Sequence, residues 1–200
     1  RKDLTQGQIE KMLSDLPTLH KRVQELLDVI EHDRSFRART RGIGYLSEED
    51  VRRYCVVGPV ARASGVGVDL RKNSSYAYYD ELSFNVFTMS DGDVWARSLV
   101  RIHETIEAIR LCEQIVEKIP PGEIATTAKR KVPAGEFISR SEAPRGEVIY
   151  FVKSDGTQTP ARVKVRTPTL TALITLPQQL RGLQMADVSA VIAGVDLCIA

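Results

Sequence analysis

The chain has 200 residues, of which 42% are hydrophobic and 27% are charged, and its formal net charge is +2. This composition is typical of a globular protein and excludes a disordered or fibrous chain, while so small a charge gives no reason to expect nucleic acid or an anionic membrane as a partner. No apolar run reaches the roughly 18 residues of a membrane-spanning helix. The three cysteines are widely spaced and do not form a disulfide framework, which favours a reducing compartment.

The first third of the chain predicts one long and one short helix. The long helix begins at a capping box formed by Thr5 and Gln8, and its apolar pattern continues in phase through Pro17, which we expect to kink the helix without ending it. The short helix should begin at Ser47, because this hydroxyl can cap free N–H groups and the acidic residues 48–50 follow it.

A second long helix is the clearest element. It should begin at Ser90 or Asp91 and end at Pro120-Pro121-Gly122. Because Cys112 belongs to its apolar stripe and Cys55 lies on the short helix, we expect both cysteines to behave as small buried hydrophobes. The stripe consists of Trp95, Leu99, Ile102, Ile106, Ile109, Cys112, Val116 and Ile119. Two long helices with one apolar face each favour a helix bundle.

The last third of the chain changes to β-rich sequence. Residues from Glu147 to Lys153 and from Ala161 to Arg166 predict two strands, and Ser154-Asp155-Gly156-Thr157 between them is a hairpin signal. A last helix should begin near Gln178. In the second strand, alternation with charged residues predicts that two valines face the core. These are Val163 and Val165.

Charged residues spaced among glycines form a first candidate site. Arg62, Asp69 and Arg71 can hold a loop through forked arginine hydrogen bonds, or can place positive charge beside a redox centre or an anion. The run from Glu142 to Glu147, which includes Arg145, indicates an ion-paired turn before a strand.

Other candidate chemistry is weaker. Gly65-Val66-Gly67 lacks the third glycine of a dinucleotide-binding fingerprint, and the histidines lack zinc-site spacing, so we expect His103 to pair with Glu107 on its own helix. Cys198 follows Asp196 in D-x-C order beside a core-like segment. It is either one ligand of a nickel, iron or zinc site or a buried cysteine.

Many blocks of the sequence, in order over essentially all of its length, resemble the 49-kDa subunit family of respiratory complex I, which includes the equivalent subunit of the F420H2 dehydrogenase. This family is related to the large subunits of nickel–iron hydrogenases. The matching blocks are Gly58 to Gly65, Asp69 to Lys72, Tyr78 to Leu82, Asp91 to Asp93, Pro120 to Glu123, Glu142 to Glu147, Ser154 to Gly156, Arg181-Gly182, Ala186-Asp187 and Asp196.

The resemblance implies a mainly α (α+β) fold, a long-helix bundle with a small antiparallel β hairpin or sheet, like that of hydrogenase large subunits. It implies a subunit of an NADH or F420H2:quinone oxidoreductase, peripheral to the cytoplasmic face of the membrane and without nucleic acid. There it would bind the iron–sulfur subunit and other hydrophilic-arm subunits, and would share a quinone-binding cavity beside the terminal iron–sulfur cluster. The cluster belongs to a neighbouring subunit, and no cofactor would be bound by this chain alone.

The resemblance also assigns residues to that cavity. Asp196 and Cys198 would face the quinone, and no residue would be catalytic itself. The polar interior would be shaped by Arg62, Asp69, Arg71, Glu142 and Arg145. In the hydrogenase relatives the position of Cys198 is a metal ligand in a D-P-C-x-x-C motif, but here Leu197 replaces the proline, and complex I proteins usually carry an aliphatic residue instead of the cysteine.

Two alternatives therefore stand beside the complex I interpretation. One is the large subunit of an energy-converting nickel–iron hydrogenase with Cys198 as a metal ligand, and the other is a non-catalytic scaffold of the same fold. The chain begins at Arg1 and stops after an apolar stretch at Ala200. We therefore expect residues 1–200 to be the C-terminal part of a family subunit, and to be inactive in isolation.

Overall fold

The structure is a computed structural model that describes residues 3–119, 122–125, 127 and 132–198. Helices make up most of its regular structure, which confirms the mainly α expectation. The helices are α1 (Gln6–His32), α2 (Arg34–Thr40), α3 (Glu48–Arg53), α4 (Pro59–Arg62), α5 (Leu70–Asn73), α6 (Val94–Lys118), α7 (Pro168–Ile174), α8 (Leu176–Gln179) and α9 (Val188–Val195). The strands are β1 (Gly135–Ala143), β2 (Gly146–Ser154) and β3 (Arg162–Arg166).

Short polar side chains start the helices of the first third as expected. The Thr5 hydroxyl accepts a hydrogen bond from the Gln8 amide at 3.3 Å, and the Gln8 side chain accepts one from the Thr5 amide at 2.9 Å. The α1 helix continues through Pro17. Ser47 caps α3 by accepting from the Asp50 amide at 3.1 Å. Each of these bonds satisfies an amide that has no partner within the helix.

The start of α6 was predicted two to three residues too early, because the cap is Asp93 and not Ser90 or Asp91. One carboxylate oxygen of Asp93 accepts from the Ala96 amide at 2.8 Å, and the other accepts from the Gly42 amide at 2.7 Å. The second bond ties α6 to a loop 51 residues earlier in the chain, which sequence spacing cannot reveal. Pro120 and Pro121 lie outside the described residues.

The two long helices pack against each other as a bundle. Their shared core contains Leu27 from α1 and Trp95, Leu99 and Ile106 from α6, all at most 6% exposed. Burying side chains of this size contributes roughly 1.5–3 kcal/mol each. A second core joins the short helices α3, α4, α7 and α9. Its buried members are Leu46, Val51, Val56, Val60, Ala61, Val66, Ala172 and Val195.

The sheet is antiparallel with the strand order β1-β2-β3. The two predicted strands are present as β2 and β3, whereas β1 was not predicted. The run from Glu142 to Glu147 is the tight turn between β1 and β2. The expectation that Val163 and Val165 face the core is wrong: they are 49% and 43% exposed. They lie on an uncharged sheet face with Phe137 and Tyr150, and the described residues leave this face largely open.

The expectation that two of the cysteines are buried is also wrong. Cys55 and Cys112 are both exposed and not buried. Cys55 follows the end of α3 with a positive φ of 53°, which turns the chain out of the helix. A helix does begin near Gln178, since α8 starts at Leu176, but it ends at Gln179, and the last helix of the described residues is α9. None of the helices in the described ranges combines the length and the apolar character needed to cross a bilayer.

Candidate functional site

A cavity of about 510 Å³ lies between the middle of α6, the β1–β2 turn and the end of α9. Its charged lining contains four arginines, which are Arg62, Arg71, Arg101 and Arg145. Its carboxylates are Glu104, Glu142 and Asp196. The less polar part consists of Tyr79, Thr105, Ala108, Ala143 and Pro144. Its size is within the range of small-molecule sites, and its charges come from elements far apart in sequence.

Arg62 lies at the centre of the charged lining of the cavity. It is only 1% exposed, and its Nε donates to Glu104 at 2.5 Å while its Nη1 donates to Glu142 and to the Val68 carbonyl at 3.0 Å. The Asp69 carboxylate lies 3.7 Å from the same Nη1. Burial alone would lower the pKa of Arg62, but Glu104, Glu142 and Asp69 raise it above its ordinary value. Arg62 therefore stays charged and links α4, α5, α6 and β1.

Asp69 and Arg71 form a second, tighter pair beside Arg62. Asp69 caps α5 by accepting from the Arg71 amide, and the Arg71 guanidinium binds both oxygens of the same carboxylate at 3.0 and 2.7 Å. Burial would raise the pKa of Asp69, but the hydrogen bonds and charge of Arg71 lower it. The guanidinium also lies 5.0 Å from the centre of the Phe84 ring. The structure thus brings the three charged residues of the glycine-rich segment together.

Two partly buried carboxylates complete this cluster. Glu142 on β1 accepts from Arg62 through Oε1 and from the Leu70 amide through Oε2, at 3.0 and 3.1 Å. Glu104 on α6 accepts from Arg62. Burial raises the pKa of both glutamates, and the positive charge of Arg62 only partly offsets this effect.

Arg145 lies at the tip of the β1–β2 turn and forms a forked ion pair with Asp196 at the end of α9. Its Nε and Nη2 lie 3.0 and 3.2 Å from the two carboxylate oxygens. Asp196 adopts a positive φ of 57°, and the hydrogen bonds with Asp196 raise the pKa of Arg145. Arg101 approaches Asp196 from α6, with its Nε 3.8 Å away, and donates to the Gly194 carbonyl at 2.6 Å. Two arginines therefore fix the end of α9 at the cavity wall.

Cys198 lies beside this pair, but it is not among the residues that line the cavity. Its amide donates to the Thr169 hydroxyl at 2.6 Å, and the residue is half-buried. Within the described ranges, no three or more His, Cys, Asp or Glu side chains come together as metal ligands. A metal centre at Cys198 would therefore need ligands from outside those ranges.

Sequence reasoning missed Arg101 and Glu104, which contribute to the cavity from α6. Both lie beside the apolar stripe of α6, and that stripe was the pattern from which the helix was predicted. Their partners are 42 or more residues distant along the chain. The available signal was their spacing of three, which places them on the same helix face.

A second cavity of about 340 Å³ lies between α1 and α6 beside His103. The expected pairing of His103 with Glu107 is wrong, because the imidazole stacks on Phe87 with ring centres 3.8 Å apart. Glu107 instead binds Arg110 and the Asn85 amide. Burial lowers the pKa of His103. This cavity has no charged cluster comparable to that of the first.

Curated relatives match almost the whole chain. It is 39% identical to a subunit of the F(420)H(2) dehydrogenase of Methanosarcina mazei, over 99% of this chain and 55% of that protein. It is 38% identical to the carbon monoxide-induced hydrogenase of Rhodospirillum rubrum, over 96% of this chain and 52% of that protein. A subunit of the NADH-quinone oxidoreductase of Dehalococcoides mccartyi is 37% identical, over 94% of this chain and 51% of that protein. The chain therefore spans about half the length of these relatives.

A solved structure has the same fold. It belongs to the membrane-bound sulfane sulfur reductase, an archaeal respiratory membrane complex, and superposes with a TM-score of 0.92 at 30% identity over 99% of this chain and 56% of the matched chain. The family model described as respiratory-chain NADH dehydrogenase, 49 Kd subunit, matches residues 1–132 and 124–200. These matches confirm the resemblance found in the sequence. The chain belongs to the 49-kDa subunit family of the respiratory-chain NADH dehydrogenases.

Proposed function

We propose that this chain forms one wall of the electron-acceptor cavity in a complex I-type oxidoreductase. In this proposal a quinone occupies the cavity and is reduced with electrons from an iron–sulfur cluster of a neighbouring subunit. The observation that carries the proposal is the cavity beside the Arg145–Asp196 pair, in a chain whose relatives are named as subunits of quinone and F420H2 oxidoreductases.

The lining suits a quinone headgroup. A quinone presents two carbonyl oxygens that accept hydrogen bonds on a flat, weakly polar ring. Arg101 and Arg145 supply N–H donors at one side of the cavity, while Ala108, Ala143 and Pro144 offer apolar surface. The cofactor would supply the redox chemistry, and the chain would bind and orient the ring and set the local charge.

We also propose which subunits this chain contacts and where it lies. We expect the chain to bind an iron–sulfur subunit and other hydrophilic-arm subunits, and to lie at the cytoplasmic face of the membrane as a peripheral subunit. The electron donor is NADH or F420H2, as the names of the relatives suggest. The solved relative is named as a sulfane sulfur reductase, so the same fold also occurs with a different acceptor, and the test must offer both acceptors.

A substitution that narrows the cavity without removing a charge tests this proposal. Ala108→Leu adds apolar volume at the lining, and Ala38→Leu is the control, since Ala38 is exposed on α2 away from the cavity. In the purified complex, Ala108→Leu should raise the KM for a short-chain quinone about tenfold, because a loss of about 1.4 kcal/mol of binding free energy weakens binding tenfold. Ala38→Leu should leave this KM unchanged. An unchanged KM in both variants, or a shift only with a polysulfide acceptor, would contradict the quinone proposal.

Hydrogenase chemistry is the second candidate. It is favoured by the 38% identity to the carbon monoxide-induced hydrogenase and by the half-buried thiol of Cys198, two residues after Asp196. In this alternative Cys198 would be a ligand of a nickel–iron centre. Nickel determined by mass spectrometry in the purified complex, and its loss in Cys198→Ser, would support this candidate. Nickel at less than about one-tenth of the molar amount of this chain would reject it.

A further inference from the structure

The floor of the cavity carries a largely buried cluster of charged side chains. Its cations are Arg62 and Arg71, and its carboxylates are Asp69, Glu104 and Glu142. With all five groups ionised, the cluster carries two positive and three negative charges, and Arg101 adds a positive charge that acts on both Glu104 and Asp196. Carboxylates held close together and away from water repel one another, and protonating one of them relieves both this repulsion and the cost of burying its charge.

Hydrogen bonding distinguishes the three carboxylates. Asp69 accepts three bonds from Arg71, which favour its ionised form. Both oxygens of Glu142 accept N–H bonds, so a proton there would displace a donor. Glu104 accepts from Arg62 Nε through Oε1, and among the described residues no donor binds its Oε2. The site for the extra proton is therefore Glu104.

Exposure gives the same assignment. The side chain of Glu104 is 19% exposed, against 5% for Glu142 and 2% for Asp69. Glu104 also lines the cavity, one residue from Thr105 and one helical turn from Arg101 and Ala108. Of the three carboxylates it is the one that can both hold a proton and reach a bound molecule.

The charged and titratable groups around Glu104 come from every neighbouring element. Arg62 reaches it from α4, Asp69 and Arg71 from the start of α5, Glu142 from β1 and Arg101 from its own helix. Tyr79, Arg145 and Asp196 line the same cavity. The Arg145–Asp196 pair is neutral as a unit, and Arg101 acts on both Asp196 and Glu104.

We propose that Glu104 stores one exchangeable proton and gives it to the molecule that is reduced in the cavity. The identity of that molecule rests on the proposed function. When a quinone has accepted electrons from the neighbouring iron–sulfur cluster, the O–H bond of Glu104 breaks and an O–H bond forms at a quinone oxygen. The electron pair stays on the Glu104 carboxylate, which Arg62 stabilises, and water restores the proton. Two such transfers, with two electrons, balance the formation of a quinol.

The storage step is tested without turnover, in the intact purified complex. An infrared pH-difference spectrum should contain the C=O band of a protonated carboxyl that titrates above the ordinary glutamate pKa of roughly 4.3. This band should disappear in Glu104→Gln and persist in Glu117→Gln, a control at an exposed position of the same helix. A band that persists in Glu104→Gln overturns the proposal. Disappearance from both variants overturns it equally, because the band would then not belong to Glu104.

The transfer step is tested by the pH dependence of turnover. At a pH below the pKa of Glu104, where the carboxyl holds its proton, Glu104→Gln should lower the kcat for quinone reduction about 100-fold or more, with the KM changed less than about threefold, because general acids contribute roughly 10²–10⁴. The difference from wild type should shrink as pH rises through this pKa. Glu104→Asp keeps a carboxyl and should recover part of the rate, which separates proton transfer from misfolding. A quinone that binds normally and is reduced at the wild-type rate by Glu104→Gln overturns the proposal. Absence of quinone binding in the wild-type complex would overturn the proposed function alone and leave the infrared result intact.

Discussion

Gly58 and Gly146 touch through their backbones and thereby hold the β1–β2 turn at the cavity. A Cβ on Gly58 would lie 2.0 Å from the carbonyl oxygen of Arg145, and a Cβ on Gly146 would lie 2.7 Å from the Gly58 amide nitrogen. Both glycines have positive φ, +72° and +121°. This contact fixes the backbone of Arg145, and so the guanidinium that binds Asp196.

The first test adds a methyl group at this contact. Gly58→Ala should lower the free energy of unfolding by roughly 2–4 kcal/mol, because it combines a strained φ with a clash against backbone that cannot move aside. Gly7→Ala is the matched control: Gly7 is exposed in α1 with no atom near its Cβ position, so stability should rise by up to about 1 kcal/mol. Denaturant unfolding measures both. Equal small effects would contradict the close contact.

The start of α6 provides a second test. Asp93→Ala removes acceptors for the Ala96 and Gly42 amides and should cost about 1–2 kcal/mol of stability. Asp91→Ala removes an exposed carboxylate that does not cap the helix, and its effect should stay within about 0.5 kcal/mol. Thermal unfolding of the two variants decides between the two positions for the cap. A larger loss in Asp91→Ala would return the cap to the position predicted from sequence.

Arg97 provides a third test, because it is a fully buried cation whose acceptors among the described residues are all neutral. It donates to Gln179 at 2.7 Å and to the Gly44 and Gly92 carbonyls at 2.6 and 3.0 Å. Burial lowers the pKa of Arg97 to about 10, so it remains charged at neutral pH. Arg97→Met would leave the Gln179 side chain and the Gly44 carbonyl without their donor, while the Gly92 carbonyl still accepts from the Leu46 amide, and should destabilise by on the order of 3 kcal/mol. The exposed Arg22→Met on α1 should change stability little, and equal effects of the two substitutions in thermal unfolding would contradict the role of Arg97.

Asp69 provides a test by pH. Its pKa is lowered in the folded chain, so the unfolded chain binds more protons in acid and stability is lost as pH falls through the folded pKa. The stabilising contribution is complete above the ordinary Asp pKa of roughly 3.9. Asp69→Asn should therefore be less stable than wild type at neutral pH, and the two should converge in strong acid. A difference that stays constant across the acid range would show that the Asp69 charge is not responsible.

Much of the helical framework could be predicted from sequence, because capping boxes and apolar periodicity act over a few residues. Thr5 and Ser47 illustrate this, since each hydroxyl accepts a hydrogen bond from the amide three positions further along the chain. The β1 strand could not be predicted in this way. Only Phe137 and Ile138 are bulky and apolar in its length, and both are at least half exposed, so it shows no alternating pattern.

The candidate site was partly predictable. Arg62, Asp69 and Arg71 were found because glycines around charged residues indicate a loop that holds charge, and the structure brings these three together. Glu104 and Arg101 were missed because a polar residue on an amphipathic helix normally faces solvent. Their partial burial depends on contacts that form only in the folded chain, because Glu104 binds Arg62 on α4 and Arg101 binds the Gly194 carbonyl at the end of α9.

The most direct measurement is photoaffinity labelling of the purified complex with a quinone whose headgroup carries a photoreactive substituent, followed by peptide mapping. The label should attach to residues 101–108 of α6 and to the turn at 142–145, and an excess of unmodified quinone should suppress it. Labelling of Phe87 and His103 in the second cavity, or of no peptide from this chain, would contradict the assignment of the acceptor cavity.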